Sequence, residues 1–401
     1  ATLAPKLPYT HPFAGGFPYR GSTRLPSDPD ALTYLAAVAA ADGAPVEVGV
    51  ATAVDDFFKG CKADGTFGAL KAACLLCGAR TLAGALVPLK NEGPELWGAP
   101  TPTIIDSGGS SGAWDSATST MRDDAAGDST INPRFRFNIG MQAGSTYKVV
   151  GALSGDTSSI TSVRLAVSGG TNYVSYDAGT GVLSGTLASA SDTIEFIFNG
   201  TRGPSSVTIE SLSIREAFAA PTNNNFVDAD YDRETGLKGN GSTKYLDSGR
   251  AGDDDPLEDH HMACYATEAS AVVTHTKMGA FQPGVDAYEL VRAADRAYFY
   301  SRSSESFFTG VGVGNQTGLH GYSRTGSTLN SRAGGVDYTA TRAAVARAGV
   351  NIFVFGYNDG SSMAEPSGGR LAYYSIGTAI SDLALLDARV TTLVTSIGAA
   401  L

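Results

Sequence analysis

The sequence predicts a mainly β protein: two β-sandwich (jelly-roll) domains preceded by an extended arm and a small helical cluster. Three observations carry this. Charged residues make up only 17% of the 401 positions, and Gly (49), Ser and Thr take their place beside 17 Tyr and 17 Phe. That mixture suits sheets with hydroxylic solvent faces and aromatic interiors. Period-two alternation recurs in runs such as Thr193-Ile194-Glu195-Phe196-Ile197-Phe198. Gly, Asn and Asp punctuate those runs where tight turns need them, as in Gly239-Asn240-Gly241. The hydrophobic share of 42% suffices for packed cores, and the length exceeds one ordinary domain.

Residues 1–30 carry Pro5, Pro8, Pro12, Pro18, Pro26 and Pro29, which block a helix ladder and predict an extended arm. Its aromatics, Tyr9, Phe13, Phe17 and Tyr19, suit a segment lying along another surface, either a second subunit or its own domain. Residues 31–89 change character. Asp28-Pro29-Asp30 is a helix-start signal, and Leu32, Leu35, Ala36 and Ala39 follow helical spacing. A second helical stretch is expected through Val54, Phe57, Phe58 and Cys61, and a third through Phe67, Leu70, Ala73, Cys74 and Cys77. Asp42-Gly43 and Asp64-Gly65 separate them. Apolar residues on more than one face predict burial, and the segment reads as a small anchoring domain.

Residues 90–220 form the next predicted domain, entered through a Pro-bearing linker at 90–102. Tyr147 to Val150, Val163 to Val167, Thr193 to Phe198 and Val207 to Ile214 alternate strongly, and about eight strands are expected, a usual number for a jelly roll. A polar linker at 217–225 leads to a domain over 221–401. Its strands include Ala297 to Tyr300, Asn351 to Phe355 and Arg370 to Ile376. Leu383, Leu386, Val390, Leu393 and Ile397 predict a terminal helix.

The run Gly236-Leu237-Lys238-Gly239-Asn240-Gly241-Ser242-Thr243-Lys244-Tyr245-Leu246-Asp247 resembles the opening of the concanavalin/laminin-G-like domain of tailed-phage (cyanophage-like) virion proteins. Asp253-Asp254-Asp255-Pro256 with His260-His261, and Leu371 to Gly377, fit the same family. Ala143 to Tyr147 and the closing Val207 to Glu216 resemble carbohydrate-binding-module-like sandwiches of phage and bacterial surface proteins. Ala79 to Leu89 resembles the end of the N-terminal part of such virion proteins, which there runs almost directly into the lectin-like domain. The resemblance therefore implies that 91–219 is an inserted sandwich.

Several chemistries are set aside. The net charge is −11 with no dense Lys/Arg run, so a nucleic-acid partner is not expected. The N-terminus shows no signal-peptide pattern, and no apolar run reads as long enough to span a membrane, so no membrane insertion is expected. Cys61, Cys74, Cys77 and Cys264 do not form a disulfide framework, and Cys74-Leu75-Leu76-Cys77 sits among Ala and Leu, which favours small buried core residues over a redox or zinc site. Asp253, Asp254, Asp255 and Asp259 are a weak Ca²⁺ candidate, since Ca²⁺ takes about six to eight oxygens; a solvated acidic loop is the preferred reading. No metal or other cofactor is expected. Five His, no GxSxG and no Walker loop disfavour an enzyme.

Aromatics near polar side chains are the binding candidates, because sugar C–H faces stack on rings while Asn, Asp and Arg bind hydroxyls. They are Trp97 and Trp114 at the start of the middle sandwich, Tyr173, Tyr176 and Asp177 within it, and Arg302, Phe307 and Phe308 in the last domain. Each also reads as a core residue, the preferred reading for the tryptophans. The family implies a surface structural protein of the virion, made in the host cytoplasm. It would be a tail fibre (adhesin) or head fibre, anchored to capsid or tail subunits through arm and helices, with its sandwiches binding host glycans; for a fibre, multivalent display suits a trimer. A capsid decoration or cement protein, and a secreted glycan-active enzyme or lectin, are the alternatives.

Overall fold

The computed structural model describes residues 25–401 apart from 91, 99, 106–111, 124–133, 142–144, 156–161, 168–172, 178–181, 189–190, 200–204, 218–219, 273, 283–286, 294–295, 304–306, 313–315 and 346–348. Most of the expected arm thus lies outside the described residues. The chain is mainly β, with two sandwiches and four helices among the described residues. It divides into two units, 91–218 and the rest.

Helix α1 (Pro29–Asp42) begins where its chemistry dictates. The Asp28 carboxylate accepts from the N–H groups of Asp30 (3.0 Å) and Ala31 (3.2 Å), and Pro29 sits where a missing N–H costs nothing. Gly43, at φ +65°, closes the helix. In helix α2 (Val48–Ala63) the buried Asp55 accepts from the N–H groups of Ser27 (2.9 Å) and Asp28 (2.7 Å), which ties α2 to the entry of α1.

The third expected helix is a strand. A 3-10 turn at Phe67–Ala69 leads into Leu70–Leu75, which pairs antiparallel with Arg370–Gly377 from Leu70↔Gly377 to Leu75↔Tyr373. Pro88–Lys90 pairs on its other edge, after a one-turn helix α3 (Leu82–Ala85). The misreading has a physical cause. Leu70, Ala73 and Leu75 pack into one core and Ala72, Cys74 and Leu76 into another. A strand covered on both faces carries a continuous apolar run with no period of two. Residues 31–89 are therefore no separate anchoring domain, because they share cores with 219–401.

In this first unit one sheet runs Tyr231–Asp232, Gly236–Lys238, Arg370–Gly377, Asp259–Glu268, Gly318–Thr325, Thr328–Ala333 and Val336–Thr341. The second runs Thr222–Asn224, Tyr245–Ala251, Asn351–Val354, His275–Gln282, Ala287–Ala293, Arg296–Ser303 and Phe307–Gly312. Met262, Cys264, Tyr322 and Tyr374 from the first meet Leu246, Met278, Phe299 and Val354 from the second. The other face of the first sheet is covered by α1, α2 and helix α4 (Leu383–Ala400): Phe57, Phe58, Leu386, Val390 and Ile397 pack with Leu70, Leu319 and Tyr373. Phe57 meets the Tyr373 ring edge-on at 6.1 Å. Gly236 starts its strand at φ +104°, where a Cβ would strike the Leu371 carbonyl, so only glycine fits. Asn240 builds the following turn, its side-chain oxygen accepting from the N–H groups of Ser242, Thr243 and Lys244.

Helix α4 corrects one expectation. By length and composition it is apolar enough to cross a membrane. Here its apolar stripe is buried on the sheet and α2, Arg389 binds both Asp64 oxygens (2.7 and 3.0 Å), and Asp387 pairs with Arg332 at 2.7 Å.

Among its described residues the second unit holds eleven strands where about eight were expected. Their order is Thr103–Ile105, Arg134–Asn138, Thr193–Asn199, Ser162–Val167, Tyr173–Asp177, Val182–Ala188, Thr146–Ser154, Ser205–Ala217, Thr120–Asp123 and Gly112–Asp115. Glu92–Glu95 pairs with Ser205–Ala217, so the first and last strands of the unit lie side by side. Phe135, Phe137, Tyr147, Leu183, Phe196 and Ile214 fill its own core.

A fragment starting at residue 219 lacks the Leu70–Leu75 strand and is expected to show no cooperative thermal transition by circular dichroism, whereas 91–218 alone should melt cooperatively. A cooperative melt of 219–401 would show that strand to be dispensable. In the full chain Phe58→Ala, which empties a fully buried site, should cost about 3–5 kcal/mol in a denaturant titration.

Candidate functional site

The strand Arg134–Asn138 alternates charge and ring. Phe135 and Phe137 are buried in the sandwich core, so Arg134, Arg136 and Asn138 occupy the opposite face. Thr193–Asn199 repeats the arrangement, with Ile194 and Phe196 in the core and Glu195 on the outer face. Ladder pairing then places Thr103, Arg136, Glu195, Ala166 and Tyr173 in one row across five strands. The adjacent row contains Arg134, Ile197, Arg164 and Ser175.

Glu195 is the fixed point of this face. Its side chain is only 3% exposed, and Oε1 accepts from Arg136 Nε at 2.8 Å and Nη2 at 2.5 Å. Arg134 Nη1 lies 3.7 Å from Oε2, with its side chain 48% exposed. A buried carboxylate bonded in this way keeps the Arg136 guanidinium in place, because releasing it would leave the charge uncompensated. Tyr173, two strands from Glu195 in the same row, is 48% exposed. The face thus offers guanidinium donors and an exposed ring, groups that bind hydroxyls and stack on C–H surfaces.

Of the residues expected from sequence, Tyr173 belongs to this face. Tyr176 and Asp177 are in the same strand, opposite Leu183 and Val182, with their side chains outside the described residues. Trp97 and Trp114 are not open platforms: both are half-buried and pack edge-on against Phe137, at 5.0 and 5.4 Å. Arg302 is buried and not a surface group; its Nη1 donates to the Asp255 carbonyl at 2.8 Å. Phe307 and Phe308 pair with Phe299 and Tyr298 in the ladder, with side chains outside the described residues. The acidic loop does not converge. Asp255 is buried against Arg250 (2.8 and 2.7 Å), Asp254 accepts from the Ala251 N–H at 2.7 Å, Asp259 from the Ala379 N–H at 2.8 Å, and Asp253 is exposed. Among the described residues no three His, Cys, Asp or Glu side chains gather as a metal site. Sequence reasoning missed Arg134, Arg136 and Glu195. The alternation of charged residues with Phe and Ile is visible in the sequence, but the register that brings Arg136 and Glu195 together is not.

No protein-family model and no curated protein matches the chain. Among solved structures, the NanB sialidase from Streptococcus pneumoniae is 11% identical over 33% of this chain and 24% of its own, with a TM-score of 0.28. The mouse laminin alpha1 chain, domains LG4-5, is 11% identical over 59% of this chain and 84% of its own, with a TM-score of 0.25. The CBM22-1-CBM22-2 tandem domain of Paenibacillus barcinonensis Xyn10C is 11% identical over 73% of this chain and 99% of its own, with a TM-score of 0.28. The chain spans about a quarter of the sialidase structure, and these partial overlaps assign it no activity.

In the first unit a set of buried polar side chains is engaged in internal hydrogen bonds. His260 shares a hydrogen bond with Ser301 Oγ (2.9 Å), and Arg324 donates to the same hydroxyl (2.9 Å) and to the Ser301 carbonyl (2.9 Å). His261 lies between the Thr378 carbonyl (2.6 Å) and Ser375 Oγ (3.1 Å). Burial pushes the His261 and His275 imidazoles down to about 4, and burial with Arg302 and Arg324 nearby holds His260 well below its usual range. An unfolded chain takes up these protons near the ordinary histidine value of about 6.5, the folded chain only near 4, so stability falls as pH drops through that window. The loss is on the order of 3 kcal/mol per imidazole. The melting temperature should accordingly be lower at pH 4.5 than at pH 7, and His261→Gln should narrow the gap; an unchanged gap would place the acid sensitivity elsewhere.

Proposed function

We propose that the chain is a non-enzymatic surface protein of a phage particle, and that the outward face of its inserted sandwich holds a host-surface glycan. One observation carries the glycan reading: the row Arg136, Glu195, Ala166, Tyr173, which sets an anchored charge pair and an exposed ring on one sheet face. Groups already held in place lose little freedom when a ligand arrives. Single-site affinity on a shallow face is modest, and display in many copies, as a trimer or on a repeating particle surface, multiplies it.

The particle reading is supported by the resemblance of Gly236 to Asp247 and Val207 to Glu216 to virion proteins. Attachment to capsid or tail subunits falls to the N-terminal arm, because α1 and α2 spend their apolar faces inside their own unit. The non-enzymatic reading is supported by Glu195, whose two oxygens both face guanidinium groups, with no second carboxylate in its row. Glycosidases position two carboxyl groups about the scissile bond.

A glycan array probed with the whole protein should show binding to a subset of host envelope polysaccharides. Tyr173→Ala should weaken it about tenfold, or ~1.4 kcal/mol. A blank array sinks the glycan reading, and release of sugar from a bound polysaccharide sinks the non-enzymatic one. Immunogold labelling of intact particles tests the location.

A further inference from the structure

We infer that the face built by Arg134, Arg136, Glu195 and Tyr173 takes a saccharide bearing carboxylate groups rather than a neutral one, a refinement that rests on the glycan-binding reading. The chain as a whole carries −11, so a cationic surface has to be built locally. On this face Arg136 stands opposite Glu195 in the ladder, and Arg134 stands in the adjacent row of the same strand. Asp177 lies at the end of its strand, and Asp192, at the border, accepts from the Asn138 amide at 3.0 Å.

The geometry separates the two described guanidinium groups. Arg136 spends Nε and Nη2 on Glu195 Oε1 and is committed to the sheet. Arg134 meets Glu195 only at 3.7 Å, beyond hydrogen-bond distance, and is about half exposed, so the donors of its planar fork are not committed to that carboxylate. A carboxylate matches that fork through two parallel N–H···O bonds, a match that a neutral hydroxyl cannot make. Tyr173 is three strand spacings from Arg136 along the row, about 14 Å at the usual spacing. A short oligosaccharide can therefore stack one ring on Tyr173 while an acidic unit reaches the arginines. Glu195 acts as a positioning residue, turning a flexible Arg136 into a fixed one.

The test is isothermal titration of the intact chain with a tetramer of galacturonic acid, with the neutral cellulose tetramer and with a single-stranded DNA oligomer of equal charge. Binding of the acidic tetramer is expected to exceed that of the neutral one at least about tenfold and to weaken steeply between about 50 and 500 mM NaCl. Arg134→Ala, which leaves the Arg136–Glu195 pair intact, should remove most of that preference, with binding of the neutral tetramer retained as the sign that the face is still folded. Tyr173→Ala should weaken both tetramers alike. Equal binding of the two tetramers, insensitivity to Arg134 substitution, or equal binding of the DNA overturns the inference. Array hits confined to neutral glycans would overturn it while leaving the glycan-binding reading in place, whereas a blank array fails both.

Discussion

The ladder between Leu70–Leu75 and Arg370–Gly377 joins opposite ends of the chain, and the larger unit is organised around it. Arg370–Gly377 is buried on both faces, so its peptide groups have no access to water and must be paired. Asp259–Glu268 satisfies one edge. The other edge is shared: Gly236–Lys238 takes its start and Leu70–Leu75 its remainder. Once that N-terminal strand is in place, its Leu70, Ala73 and Leu75 side chains continue the apolar floor on which α1, α2 and α4 lie. Helices and sheet are thus consequences of one pairing, which explains why a helix-rich N-terminal segment is not a separable anchor.

The smaller unit is governed by a local constraint of another kind. A carboxylate with almost no solvent access survives on a sheet face only if cations cover it. Arg136 provides most of that cover and Arg134 the remainder. The same contact that makes Glu195 tolerable therefore fixes the Arg136 guanidinium on the sheet face.

Much of this was legible in the sequence, for identifiable reasons. Thr193–Asn199 and Ser205–Ala217 have one core face each, so alternation betrays them, and α4 shows its stripe because its opposite side meets solvent. Leu70–Leu75 escaped because two cores claim its two faces. Arg302 read as a surface group because arginine is seldom buried, yet here a backbone carbonyl receives it inside the sandwich. Tyr173 was found by composition and turn context. Arg136 and Glu195 were not, since their value lies in a register that only strand pairing establishes.

Glu92–Glu95 runs antiparallel beside Ser205–Ala217, so the smaller sandwich begins and ends at neighbouring points. To the rest of the chain a folded module with adjacent ends is a short loop, whatever its length in residues. Loop-closure cost grows with the logarithm of free length, and most of the inserted length is removed from that count once the module has folded. The host ladder between Leu70–Leu75 and Arg370–Gly377 is therefore indifferent to what the insert is. The module can therefore be exchanged for another with adjacent ends without renegotiating the fold of the carrier.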